Sequence, residues 1–98
     1  MDIKLTPDGA TLTIVLNGRL DTTTAPELEK TIKDSLGGIT TLVFDMENLK
    51  YVSSAGLRVL LTTQKIMSKQ GVMKLIKVND AVMDIFEITG FSDILTIE

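Results

Sequence analysis

The run Leu42-Val43-Phe44-Asp45-Met46-Glu47-Asn48-Leu49-Lys50-Tyr51-Val52-Ser53-Ser54-Ala55-Gly56-Leu57-Arg58-Val59-Leu60-Leu61 holds the decisive part of this chain. A short apolar segment ends at Asp45. A turn is expected next, then two adjacent serines, a glycine and a leucine-rich helical pattern. This places a buried strand over residues 40–45 and a helix over about 54–69. The serines fall at the helix start, beyond the carboxyl end of the strand. A helix N-terminus carries unpaired N–H groups and the positive end of the helix dipole, so it favours anions.

Upstream, Thr6-Pro7-Asp8-Gly9 has the signature of a turn, with Pro second and Gly fourth. It separates a short edge strand at Ile3-Lys4-Leu5 from a clear strand in which Leu12, Ile14 and Leu16 alternate with Thr11, Thr13 and Val15. Asn17 to Asp21 breaks the alternation. Thr24 and Glu27 then have capping-box spacing, with Pro26 in the first turn of a helix whose apolar face is Ala25, Leu28, Ile32 and Leu36. Glu29 and Lys33 form an i,i+4 pair, and Gly37-Gly38 ends the helix.

Downstream, the second helix carries Leu57, Leu60, Leu61 and Met67 on one face. Val59 and Ile66 lie on roughly the opposite side, as secondary packing or as partner surface. A strand over Val72–Val78 follows. Asn79 or Asp80 caps a short helix with Val82, Ile85 and Phe86 that ends at Gly90, and Ile94–Ile97 forms a last strand. The order β-β-α-β-α-β-α-β implies a single α/β domain over residues 1–98. Right-handed crossovers would give it a mixed, mostly parallel sheet. In such sheets function gathers beyond the carboxyl ends of the strands. The Ser53-Ser54 turn lies there, as does the segment from Gly18 to Thr24 if its strand runs the same way.

Composition narrows the chemistry. The 98 residues are 44% apolar and 23% charged, an ordinary globular balance. The formal charge is −3 and the ten Lys and Arg residues are scattered, which argues against a nucleic-acid groove. Cysteine and histidine are both absent. That removes thiolate catalysis, cysteine-ligated zinc, the usual base of a serine hydrolase and the usual metal ligand. No catalytic residue, metal or cofactor is expected. No stretch approaches the roughly 20 apolar residues of a membrane span, and the start lacks the apolar core of a signal peptide. The expectation is a soluble cytoplasmic protein.

The two serines then admit several readings. A helix cap, worth about 1 kcal/mol, is the plainest. A nucleophilic serine lacks a base, and no Ser-x-x-Lys spacing occurs at the turn. A phosphate loop lacks its Gly-Lys-Ser/Thr, and a receiver-type phosphoaspartate lacks paired acids after the first strand. A phosphorylation switch on a serine is the sharper reading. It adds about −1.5 to −2 charges, which a helix N-terminus tolerates, and the same charge on an exposed turn blocks docking.

Taken with the order of elements, Asp45 to Leu57 resembles the signature loop of STAS domains, in particular bacterial anti-sigma factor antagonists. In that family a strand ends in Asp, and Asp-Ser-Ser/Ala/Thr-Gly-Leu opens a helix. Gly18-Arg19-Leu20-Asp21 before a Thr-rich helix start, and the late Phe86-Glu87-Ile88-Thr89-Gly90-Phe91, are similar to other segments of the family. The resemblance implies partner switching in transcription regulation. The unmodified antagonist binds an anti-sigma factor that is also a serine kinase. The kinase uses ATP to phosphorylate the loop serine, and a PP2C-type phosphatase reverses the step. By position the phosphoacceptor is Ser54. Ser53 is second choice, standing where the family often has Asp. Asp21, Thr22, Thr23, Ser53, Ser54, Gly56, Leu57 and Arg58 would form the partner surface. The alternative is a non-switching STAS interaction subunit of a lipid-transport or sensory complex.

Overall fold

A computed structural model describes all residues from Met1 to Glu98. Strand β1 (Asp2–Asp8) pairs antiparallel with β2 (Thr11–Leu20). The turn between them is Gly9-Ala10, two residues later than expected, with Gly9 at φ +62°. Glycine at the first central position suits a two-residue hairpin turn. Pro7 lies inside β1, opposite Leu12. An edge strand accepts it because one row of N–H groups has no ladder partner.

Helix α1 (Ala25–Ser35) crosses over to β3 (Thr41–Val52), and helix α2 (Ser54–Met67) crosses to β4 (Val72–Ile76). Both connections join parallel neighbours, and the sheet order is β1-β2-β3-β4. Right-handed crossovers that step in one direction place their helices on one face, and α1 and α2 pack against each other there. Leu12, Ile14 and Leu16 of β2 and Leu42 and Phe44 of β3 point into the core beneath them. Val43 is buried on the other face, in register between Thr13 and Lys74.

The expected turn after Asp45 is strand. β3 continues for seven residues, still paired with β2: Asn17 with Asn48, Gly18 with Leu49, Arg19 with Tyr51 and Leu20 with Val52. Two register shifts each insert one extra residue into β3, and the Asp45 carboxylate accepts from Glu47 N–H at the first. Such bulges bend and twist a strand without ending it. They also move the buried positions from a two-residue to a three-residue step, at Met46, Leu49 and Val52. β2 likewise runs on to Leu20 rather than breaking at Asn17.

Asn79, not Asp80, caps α3 (Asp80–Thr89), accepting from Val82 N–H at 3.0 Å. Its side-chain amide also donates to the Leu49 carbonyl at 2.6 Å, tying this helix to the far end of β3. Gly90 ends α3 at φ +81°. The expected last strand shrinks to one parallel bridge between Leu75 and Ile97. A 3₁₀ turn over Phe91–Asp93 and the bonds from Ile94 and Leu95 N–H to the Phe91 carbonyl hold the preceding residues coiled. Val59 is buried and Ile66 half-buried, because α1 and the sheet together cover more of α2 than a single core stripe. Their role is packing.

Candidate functional site

The site forms where β2 and β3 end side by side. Ser53 N–H donates to the Leu20 carbonyl at 2.8 Å, so the start of α2 is fastened to the last residue of β2. Ser53 has extended backbone angles and its Oγ accepts from Gly56 N–H at 3.3 Å, which makes it the N-cap. Ser54 is the first residue of the helix. Its side chain is exposed, and its hydroxyl has no hydrogen-bond partner within the protein. The first turn of α2 contains no acidic residue.

Gly56 lets α2 approach this closely. A β-carbon there would sit 2.6 Å from Leu20 Cγ and 3.0 Å from Val52 Cγ1. Gly56 and Leu57 are both buried. Of the residues expected on the partner surface, they face the core instead.

Asp21 organises the adjoining connection. Its Oδ1 accepts from the Thr23 hydroxyl at 2.7 Å, from Thr23 N–H at 3.0 Å and from Thr24 N–H at 3.1 Å. The Thr23 hydroxyl, helped by these backbone donors and by Thr24, holds the Asp21 carboxyl below its ordinary value against a smaller opposing effect of desolvation. Thr24 is the N-cap residue of α1, but the expected capping box does not form. Its Oγ1 accepts from Asp21 N–H at 2.8 Å and donates to the Arg19 carbonyl at 2.9 Å. The hydroxyl closes the loop back on β2, so Thr22 and Thr23 stand exposed at its tip.

A groove of about 280 Å³ runs between α1 and α2, lined among others by Thr22, Pro26, Glu29, Ala55, Arg58 and Val59. The sequence reading passed over it. The signal was the small stripe Ala55, Val59 and Thr62 at helical spacing, which leaves a furrow where larger residues would interlock. Also unread was the stacking of Arg19 over the Tyr51 ring, 4.5 Å from its centroid. The two residues are paired across β2 and β3, but only through the bulged register. No group of three or more His, Cys, Asp or Glu is gathered that could hold a metal. No helix is long and apolar enough to cross a membrane.

The chain matches the STAS domain family over residues 2–98. It belongs to that family. It is 34% identical to BtrV of Bordetella bronchiseptica over 99 aligned residues, covering 97% of this chain and 85% of that one. The anti-sigma-B factor antagonist of Staphylococcus aureus is 28% identical over 97 residues, covering 97% of this chain and 90% of that one. Among solved structures, the anti-sigma factor antagonist SpoIIAA in its unphosphorylated form superposes with a TM-score of 0.84 at 20% identity, covering 99% of this chain and 88% of that one. The phosphorylated form of Bacillus SpoIIAA gives 0.76 at the same identity, covering 99% and 91%. This STAS domain therefore has the fold of proteins named as antagonists, with Ser53 and Ser54 at the junction of two strand ends and a helix start.

Proposed function

We propose that this STAS domain is an anti-sigma factor antagonist that works by partner switching in the cytoplasm. Unmodified, it binds an anti-sigma factor that is also a serine kinase, through Ser54, Arg58 and the Asp21–Thr23 loop. The kinase transfers the γ-phosphoryl group of ATP to Ser54 Oγ. ADP leaves, the hydroxyl proton is released and the complex dissociates. A PP2C-type phosphatase hydrolyses the ester and restores binding. The protein itself is a regulator and not an enzyme.

The observation that carries this reading is the division of labour between the two serines. Ser53 is half-buried and its oxygen is engaged as the cap, whereas the Ser54 hydroxyl is exposed and free. An acceptor hydroxyl has to enter a kinase active site without dismantling its own helix, and only Ser54 meets that condition. The dipole of α2 tolerates the added charge. At a docking surface the same charge opposes contact by repulsion and desolvation.

The test is phosphorylation by the cognate kinase with ATP, read by intact mass and site mapping. One phosphate is expected on wild type and on Ser53→Ala, and none on Ser54→Ala. Label that survives Ser54→Ala and disappears in Ser53→Ala transfers the role to Ser53. A kinase that binds the domain without modifying it points instead to a non-switching interaction subunit.

A further inference from the structure

Arg58 is the cation nearest in sequence to Ser54 on α2, and nothing in the fold uses its charge. The chain has two arginines. Arg19 is stacked on Tyr51. Arg58 is exposed and takes part in none of the ion pairs, which join Lys33 to Glu29, Lys74 to Glu98 and Lys77 to Asp45. Glu29, across the groove on α1, is held by Lys33 at 3.0 Å. Asp21, on the connection beside Ser53, turns its carboxylate into its own loop.

Position supplies the rest. Ser54 and Arg58 are four residues apart in one helix, so their β-carbons are about 5–6 Å apart on one face. Helical side chains tilt toward the N-terminus and cover the turn before their own α-carbon. The guanidinium of Arg58 can thus reach the space over Ser54, where a phosphate on Oγ would stand. Guanidinium and phosphate meet bidentately, with charge-assisted hydrogen bonds.

We infer that Arg58 is the internal clamp for phosphate on Ser54, and that phosphorylation withdraws this arginine from the partner surface as it adds charge there. The inference rests on the reading of Ser54 as the modified serine. Before modification the pair carries one positive charge. Afterwards, with a phosphate of about −1.5 to −2, it is net negative. A partner carboxylate that met Arg58 would then lose its cation and meet an anion in the same step. Arg58 is a positioning residue in this role.

The experiment uses the full chain with phosphoserine installed at position 54 by genetic encoding or ligation, so that no kinase is needed. The ³¹P resonance is followed through the second ionisation of the phosphate, near pH 6. A neighbouring cation favours the dianion. Arg58→Gln should therefore raise that pKa by about 0.5 unit, roughly a threefold gain in proton affinity. Arg58→Lys should fall between Gln and wild type. Lys65→Gln removes a like charge from the far end of α2 and should leave the titration within about 0.1 unit of wild type, since the exposed charge is screened at that distance. An unchanged titration in Arg58→Gln, or an equal shift in Lys65→Gln, overturns the inference. Failure of the kinase to modify Ser54 would sink the switch reading without deciding this one, which is judged on installed phosphate.

Discussion

Replacing Gly56 with alanine sets local preference against packing. Gly56 is in the first turn of α2. Helix propensity alone favours alanine by about 1 kcal/mol. The fold opposes it. The new β-carbon would stand 2.6 Å from Leu20 Cγ, and 3.0 Å from both Leu20 Cδ2 and Val52 Cγ1. Carbon atoms settle at about 3.5–4.0 Å, so the closest overlap is near 1 Å. Leu20 is fully buried and Val52 is 2% exposed, so neither can swing into solvent. Overpacking of this kind costs about 1–3 kcal/mol. With the propensity gain of about 1 kcal/mol subtracted, Gly56→Ala should lose up to about 2 kcal/mol, read as a lower urea midpoint at unchanged m-value. In a domain of this size each kcal/mol lowers Tm by about 4–8 °C. A double-mutant cycle locates the cause. Leu20→Ala costs about 2–5 kcal/mol by itself, but it deletes two of the three crowded atoms. In that background Gly56→Ala should be neutral or stabilising, with a coupling of about 1–2 kcal/mol. If Gly56→Ala gains the full propensity difference, or has the same effect in both backgrounds, the close approach of α2 to β2 does not explain the glycine.

Ser53→Ala should cost about 1 kcal/mol through loss of the cap, while Ser54→Ala should stay within about 0.5 kcal/mol of wild type, both measured by urea unfolding. Ser54→Asp should keep the fold, with up to about 1 kcal/mol of gain from the helix dipole, yet weaken anti-sigma factor binding in calorimetry; undiminished affinity would refute exclusion by charge. Asp21→Asn should lower stability at neutral pH. Because the folded carboxyl titrates below its ordinary 3.8, the contribution of Asp21 is complete above that value and is lost as pH falls through the lower folded pKa. The gap between wild type and Asp21→Asn should therefore close as the acid range is entered, and a gap independent of pH would show that the carboxylate charge is not what the threonines hold.

The parts of the fold that keep one period were legible in the sequence. The alternation at Leu12, Ile14 and Leu16 and the helical spacing of Ala25, Leu28 and Ile32 both match the buried positions. What escaped was every place where a period is interrupted. β3 reads as ending at Asp45 because its two bulges change the inward step from two residues to three, and no single period spans Phe44 to Val52. The end of the chain reads as a strand because Ile94, Leu95 and Ile97 suit one. The outcome there is decided by the 3₁₀ turn that precedes them and by pairing with Leu75, which is non-local. At the site, adjacent serines signalled a helix start. Which serine caps and which is free depends on where the strand stops, and the bulges set that. The capping-box spacing of Thr24 and Glu27 misled for a related reason: the Thr24 hydroxyl has nearer partners in Asp21 and Arg19.

The bulges therefore connect fold to function. Without two extra residues, β3 would reach the level of Leu20 two positions earlier, with Lys50 in the place of Val52 and α2 starting out of register with the groove. With them, Val52 pairs with Leu20, Ser53 N–H finds the Leu20 carbonyl, and Gly56 drops against both side chains. The start of α2 is thus held by a backbone hydrogen bond, a side-chain cap and a close packed contact, none of which involves the Ser54 hydroxyl. In the proposed switch this separation is what matters. A phosphate on Ser54 breaks no bond that holds the helix, so the modification is read at the surface. It acts by changing the charge a partner meets between Ser54 and Arg58, while the strand junction beneath stays as it is.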